Sequence, residues 1–461
     1  MPAVDVAVVG GGMAGLSTAY ELHRQGIAFI LCEATDRLGG VVRTDRVDGF
    51  TLDAGPDSLL VQKPAAIELC HELGLGDRLV PTLEPRTAFV LHGHLRPIPE
   101  ASVLGIPTAL TPWIKSTLLS PLAKLRLAAD LVRPQGAGDD ESVASFFRRR
   151  FGPAAVEYIA EPLLAGIHAG DVDQLSMRAL FPRLMQAERT HGSVIRALRT
   201  LRRSVPRPTQ GLFRSLRGGI EELASTLSST LPKSALRCGT RVSAISGPSP
   251  YTIRLEGAEP LSARSVVLAS PAHVTAGLVA GIDDHLAMLC RQIPYTSTAT
   301  VLLSYPRVAV RRPRTGSGFV VPRRERQAGL MAGSWVTSKW PGRAPKGHVL
   351  LRGFLGGVRD PDVISRSDDE LVSIAHETFA KVLDLDRPPD LKRVYRWPRA
   401  NPQHIVGHLS RMASIETQLK QYPGLFVTGS GFRGVGIPDC VADGRATARA
   451  VVAWRADRSP A

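Results

Sequence analysis

Three glycines, Gly10, Gly12 and Gly15, stand between the apolar run Val4 to Val9 and a stretch of helical periodicity that ends near Gly26. The segment DVAVVGGGMAGLSTAYELHRQGIAFILCEA reads as a strand, a glycine turn, an amphipathic helix and a second strand closing on Glu33. In such a unit the first glycine makes the tight turn. The second lets the backbone approach a pyrophosphate, and the third lets helix and strand pack closely. The helix N-terminus offers free N–H groups to phosphate, and Glu33 lies where a carboxylate meets ribose hydroxyls. The chemistry on offer is the holding of a dinucleotide.

A second set of backbone-clearing residues follows at once. Arg37-x-Gly39-Gly40 comes directly after the acidic residue, and Asp53-x-Gly55 lies a little further on. An arginine with a glycine pair there closes over a pyrophosphate from its other side, which suits a permanently buried FAD better than an exchanging NAD. Near the C-terminus, GLFVTGSGFRGVGIPDC reads as a short strand, a glycine loop from Gly429 to Gly436, and a helix beginning near Pro438, a favourable first-turn residue. Asp439 is placed to cap that helix.

The tandem of these loops resembles the flavin amine oxidase superfamily, and GVGIPDC resembles the C-terminal signature of its protoporphyrinogen and coproporphyrinogen oxidases. EPLLAGIHAGDVDQLSMRALFPRL, FRSLRGGIEELASTL, TRVSAI, SVVLASPAHV and RWPRANPQHIVGHL resemble further segments of that family, in order along the whole chain. The resemblance implies an α/β fold: a Rossmann-like FAD-binding domain, a mixed-sheet substrate domain and a helical insertion. It implies that Val242 approaches the adenine, and that Gly436, Ile437 and Asp439 lie beside the isoalloxazine ring, with Gly429 helping to clear its space. It further implies an FAD-dependent, six-electron oxidation of a porphyrinogen by dioxygen, with hydrogen peroxide released. Protoporphyrinogen IX is the first expectation and coproporphyrinogen III the alternative. No side chain is expected to act as an obligatory acid or base. Substrate contacts implied by position are Arg86, Gly166, Val310, Trp340 and Lys63. Asn401 and His404 depart from the family wording, where an apolar residue and a tyrosine are expected.

The elements that must position these residues fall into three groups. FAD-binding segments are expected at 1–64, 218–276 and 420–461, and a substrate-binding domain at 65–92, 196–217 and 277–419. Residues 93–195 read as mainly helical. Within them LTPWIKSTLLSPLAKLRLAADLVR spaces Ile114, Leu118, Leu122, Leu125, Ala129 and Val132 as one helical face with Lys115, Lys124, Arg126 and Arg133 around it. Such a helix lies at a membrane surface, over a substrate channel or in a dimer contact.

The 461-residue chain carries a formal net charge of +15, and 44% of its residues are hydrophobic. Ten of its Arg and Lys residues lie between Arg307 and Lys346 against the single acid Glu325, as a solvated basic face or an anion-holding one. No nucleic-acid module accompanies the charge, so no nucleic-acid partner is expected. Five scattered cysteines without CxxC spacing indicate neither a metal site nor a disulfide framework. The expectation is a cytoplasmic protein, with peripheral attachment at the inner face of the cell membrane and a homodimer both left open. A flavin amine oxidase, a carotenoid-type desaturase and a non-catalytic flavin-bound tetrapyrrole carrier are the competing readings.

Overall fold

Strand β1 (Ala3–Val9), helix α1 (Met13–Arg24) and strand β2 (Phe29–Cys32) form a right-sized βαβ unit, with β1 and β2 paired in parallel. The computed structural model describes residues 3–100, 102–136, 138–204, 210–313, 315–325 and 329–457. On its other side β1 pairs in parallel with Ala258–Leu268, which also takes Leu425–Val427 as a parallel neighbour. Leu236–Arg237 extends the far edge beside β2, and Tyr251–Leu255 and Val242–Ser246 complete a seven-stranded sheet. The parallel strands are continuous apolar runs because helices cover both faces. α1 and the C-terminal helix (Ile437–Ala456) lie on one of them. Gly444 lets these two helices touch, since a Cβ there would overlap the Ala14 carbonyl.

All the parallel strands end at one edge. The turns that follow them, Gly10–Gly12, Glu33–Val42, Ala269–Ser270 and Thr428–Gly436, therefore share one crevice, the place where open parallel sheets bind nucleotides.

A second seven-stranded sheet is built around the long antiparallel strands Tyr295–Pro306, His348–Gly356 and Leu391–Pro402, and ends in Ala88–His92 and His94–Pro97. The last of these strands belongs to the sheet although its sequence falls in the stretch expected to be helical. Elsewhere residues 110–204 are largely helical, around a core that includes Trp113, Phe146, Phe147, Phe151 and Met177.

The expected single helix over 110–133 is divided. Leu110–Lys115 stops, and Pro121–Ala128 restarts behind Ser120, whose hydroxyl accepts from Ala123 N, with Pro121 at the first helical position. The break turns Leu118 into the core while Ile114, Leu122, Leu125 and Val132 stay exposed, so the six residues do not form one stripe. The basic stretch is similarly dispersed. Lys339 and Arg343 turn inward to Asp57 and Asp53, and Arg311, Arg312 and Arg324 pair with Asp386, Asp384 and Glu157. Arg314 and Arg326 lie outside the described residues.

Candidate functional site

The nucleotide end of the crevice is made by backbone. Gly10 has φ +108°, and a Cβ on it would sit 2.9 Å from the Ala269 carbonyl oxygen, while one on Gly15 would overlap the Gly10 carbonyl. A Cβ on Gly12 would meet nothing within 4 Å. Of the three, only Gly12 therefore borders open space, at the N-terminus of α1 where the phosphates are expected. Glu33 Oε2 accepts from Gly11 N (2.7 Å), and Oε1 accepts from Thr35 N (2.9 Å) and Thr35 Oγ1 (2.8 Å). Oε1 is thereby filled, and Oε2 keeps a lone pair for a ribose hydroxyl. Thr240 N donates to the Glu33 carbonyl at 2.8 Å, and this bond brings the strand that starts at Val242 alongside.

The second glycine pair closes on the first loop. Gly39 N donates to Gly11 O (2.8 Å), and a Cβ on Gly40 would lie 3.2 Å from Gly12 Cα. Arg37 wraps its own turn, donating to the Val42 carbonyl (3.1 Å) and the Gly40 carbonyl. It thus shapes the loop through backbone oxygens. The arrangement fits FAD: a cradle cleared of side chains, a helix N-terminus and an acidic ribose anchor in one crevice.

At the other end, Gly55 lies against Val41, whose carbonyl a Cβ would overlap. The Gly55 carbonyl accepts from Arg352, and Trp397 Nε1 donates to the Ala54 carbonyl at 3.2 Å. The C-terminal loop faces the same region. Asp443 accepts from Thr428 Oγ1 (2.7 Å) and Gly429 N (2.9 Å), and Asp439 accepts from Gly436 N (3.1 Å), capping the helix that Ile437 begins.

Lys63 and Asp439, 376 residues apart, form an ion pair at 2.7 Å. Lys63 is thereby brought to the N-terminus of the C-terminal helix with its charge partly met. Beside them stands His168, at the end of the helix Glu161–His168 that carries Gly166. Burial, with a further contribution from Lys63, pushes its imidazole down to about 4, so the ring is neutral near pH 7. A methyl on Gly166 would touch Ala332 and Val320 of the second sheet, so this glycine seats its helix on that sheet.

Two proposed substrate contacts are placed elsewhere. Trp340 is completely buried among Phe50, Leu52, Leu302 and Leu350, and its indole N–H donates to Asp57 at 3.0 Å. It is a core residue here. Val310 lies past Pro306, the end of the strand Tyr295–Pro306 remote from the crevice, and bridges to Leu385. Twelve residues of strand put roughly 36 Å between those ends.

Arg86 is half-buried against Gly211 and Thr82, beside the small sheet of Leu59–Leu60, Phe213–Leu216 and Leu79–Pro81. It donates to Thr82 O (3.3 Å) and pairs at 2.8 Å with Glu84, whose side chain is largely exposed. Arg214 stands near it; burial and then the charge of Arg86 lower its affinity for its proton. Arg214, His168, His408, Asp57 and Lys339 were not singled out in the sequence. His168 lies inside a segment that carries the family resemblance, so motif context flagged the segment without identifying the side chain.

The chain matches the model for flavin containing amine oxidoreductases over residues 13–452. It is 34% identical over 457 residues to a coproporphyrinogen III oxidase of Bacillus subtilis (strain 168), covering 96% of each chain. It is 30% identical over 470 residues to a chloroplastic protoporphyrinogen oxidase of Nicotiana tabacum, covering 95% of this chain and 83% of that one. A crystal structure of a protein from Exiguobacterium sp. 255-15 superposes with a TM-score of 0.86 at 34% identity, over 97% of this chain and 98% of that one. With the dinucleotide cradle and the glycine loops in one crevice, these likenesses make the protein an FAD-dependent oxidoreductase that belongs to the flavin containing amine oxidoreductase family, among its coproporphyrinogen III and protoporphyrinogen oxidases.

Proposed function

We propose that the protein oxidises coproporphyrinogen III to coproporphyrin III, in haem biosynthesis. FAD, when bound, takes up two electrons at a time and passes them to dioxygen as hydrogen peroxide, so the six-electron oxidation takes three turnovers. The chain's own task is to bind and orient the macrocycle and to keep water from the crevice. The reading draws on the Bacillus subtilis relative, and the observation that carries it is the closeness of Arg86 and Arg214. Arg86 and Arg214 lie close enough to repel, and Arg86 pairs with the exposed Glu84. Arg214 spends its amino groups on the Gln210, Gly211 and Phe213 carbonyls and the Gln210 side chain, so Arg86, whose partner Glu84 is exposed, is the guanidinium suited to a substrate carboxylate, and coproporphyrinogen carries four carboxylates against the two of protoporphyrinogen. The FAD-binding unit on this reading is 1–64, 218–276 and 420–461, with 65–92, 196–217 and 277–419 forming the substrate unit and 93–195 the helical one.

The purified protein should show a flavin spectrum and form fluorescent porphyrin from coproporphyrinogen III with oxygen uptake, faster than from protoporphyrinogen IX. Preference for protoporphyrinogen IX would move the reading to the later substrate, the one named for the tobacco relative. Oxidation of neither would overturn it. Arg86→Ala should raise KM for coproporphyrinogen by about tenfold, the effect of losing one charge-assisted bond, and raise it less for protoporphyrinogen.

The exposed Ile114, Leu122 and Leu125, interleaved with Lys115 and Lys124, also support peripheral attachment to an anionic membrane. Among the described residues no helix is long and apolar enough to cross one. Flotation with vesicles containing phosphatidylglycerol should carry the protein upward, and Leu122→Glu combined with Leu125→Glu should leave it in the dense fraction. Wild-type protein that stays in the dense fraction would end this part of the reading.

A further inference from the structure

The loop Thr428–Gly436 is held by its own helix through Asp443 and Asp439, and from outside by two histidines. His404 Nε2 lies 3.0 Å from the Ser430 carbonyl oxygen, and His408 Nε2 lies 2.9 Å from that of Phe432. His404 follows the long strand Leu391–Pro402, and His408 opens the helix His408–Leu419. Their rings stack with centroids 3.8 Å apart and planes 11° apart, and both are buried. A carbonyl oxygen only accepts, so each Nε2 carries a hydrogen and each neutral ring leaves Nδ1 bare. His408 Nδ1 is buried without a hydrogen-bond partner. A proton added there finds no acceptor, and it puts a cation against the face of a second imidazole.

We propose that His404 and His408 are positioning residues for the flavin: as a stacked, neutral pair they hold the Ser430 and Phe432 carbonyls, and so fix the loop on which the FAD ring rests. The inference depends on the reading that this loop faces the ring. The groups facing the pair are His168, the half-buried Asp140, which accepts from Gly407 N (3.2 Å) and Ser176 Oγ (2.8 Å), and Arg411 on the helix of His408. Lys63 and Asp439 lie beyond His168. Burial, then repulsion from His408, push His404 down to about 3, and burial pushes His408 down as well. A ring freed from the clamp titrates near 6.5. The clamped state therefore binds protons more weakly than the released one, and the advantage each ring contributes is complete above about pH 6.5 and falls by about tenfold for each unit below it.

The test is the rate of FAD release from the holoenzyme, followed by the recovery of free flavin fluorescence between pH 7.5 and 5. Wild-type release should quicken by up to about a hundredfold per pH unit below about 6.5, about tenfold from each ring. His404→Gln keeps an N–H for Ser430 but no titrating group. It should match wild-type release at pH 7.5 within about threefold and lose about half of the acid response, since His408 remains. His404→Leu should release FAD about tenfold faster at pH 7.5, the value of one hydrogen bond. A wild-type acid response in the Gln variant overturns the clamp, as does wild-type release from a folded Leu variant. Should the Leu variant not fold, the pH profile of the Gln variant alone decides. Gly436→Ala, at a φ of −75° open to any residue and with a Cβ 3.1 Å from the Asp439 carboxylate, which must yield slightly, separates this inference from the reading beneath it, with Asp439→Asn as the control for that carboxylate. If that variant keeps the wild-type flavin spectrum and release rate, the loop does not face the ring; if it alters them while His404→Gln titrates as wild type, the loop faces the ring and the clamp is wrong.

Discussion

Gly12→Val should give a folded protein without flavin, and Gly15→Ala should give no soluble fold. The two glycines lie three residues apart in one loop and are constrained by different things. At Gly15 the obstacle is the protein itself: a methyl group would occupy the position of the Gly10 carbonyl oxygen, and Ala269 closes the other side at 3.2 Å. Relief requires α1 to move off β1, which opens the core around Val6, Val8 and Leu16. At Gly12 the backbone is extended, with φ −72° and ψ −178°, and nothing of the protein lies within 4 Å of a Cβ. An isopropyl group is accommodated there until a pyrophosphate must share the space. The expected loss of FAD affinity is at least about 100-fold, or ~2.7 kcal/mol, with thermal unfolding of apoprotein unchanged within about 0.5 kcal/mol. FAD titration and circular dichroism of the two variants decide it. Wild-type affinity in Gly12→Val would place the dinucleotide somewhere other than this loop.

What the sequence makes legible is the part of the site that consists of missing side chains. Gly10, Gly15, Gly39, Gly55 and Gly444 each meet backbone at the position of a Cβ, and such a demand is written locally, in one residue type at one place. Contacts made by side chains across the fold leave no such mark. Lys63 finds Asp439 at a separation of 376 residues and Asp57 finds Lys339 at 282, and neither spacing has any periodicity to detect. The surroundings of other residues are set in the same way, by distant partners. Trp340 matches an aromatic on a turn of the family, and its burial is set by Asp57, which accepts from its indole N–H. Val310 matches an aliphatic position in the family, but its distance from the crevice depends on which end of a twelve-residue strand points inward. Over 110–133 the apolar spacing outweighed Pro121 and Ser120, although those two residues mark a helix start.

Asp57→Ala should remove about 3–5 kcal/mol of stability, the effect of stranding buried charge. That is a large share of the roughly 5–15 kcal/mol by which a folded protein is held together. Asp57 is the point where the nucleotide crevice is joined to the second sheet. Its carboxylate accepts from Lys339 Nζ (2.8 Å) and Trp340 Nε1 (3.0 Å), with Arg352 at 3.7 Å, and Arg352 also donates to the Gly55 carbonyl. Four residues earlier, Asp53 accepts from Thr44 Oγ1 (2.6 Å) and Ile220 N (2.9 Å) and faces Arg343 at 3.3 Å. Burial pushes both carboxyls up. At Asp53 burial prevails, whereas at Asp57 Lys339 and Arg352 outweigh it and hold the group well below the usual carboxylate range. A depressed carboxylate contributes its stabilisation above the unfolded value of about 3.9, and loses it as pH falls through the folded value. Wild-type urea unfolding should therefore keep this contribution at pH 7 and lose it only in acid below about pH 4, whereas Asp57→Ala lacks it at pH 7. Replacing both partners, Asp57→Ala with Lys339→Met, should recover part of the loss because one stranded cation is removed with its acceptor. Equal stability of wild type and Asp57→Ala at pH 7 would mean that water or a neighbouring acid neutralises Lys339 and Arg352. Because Arg352 also grips Gly55, the single variant should loosen FAD as well as the fold, and flavin release at sub-denaturing urea is the measurement that links the two.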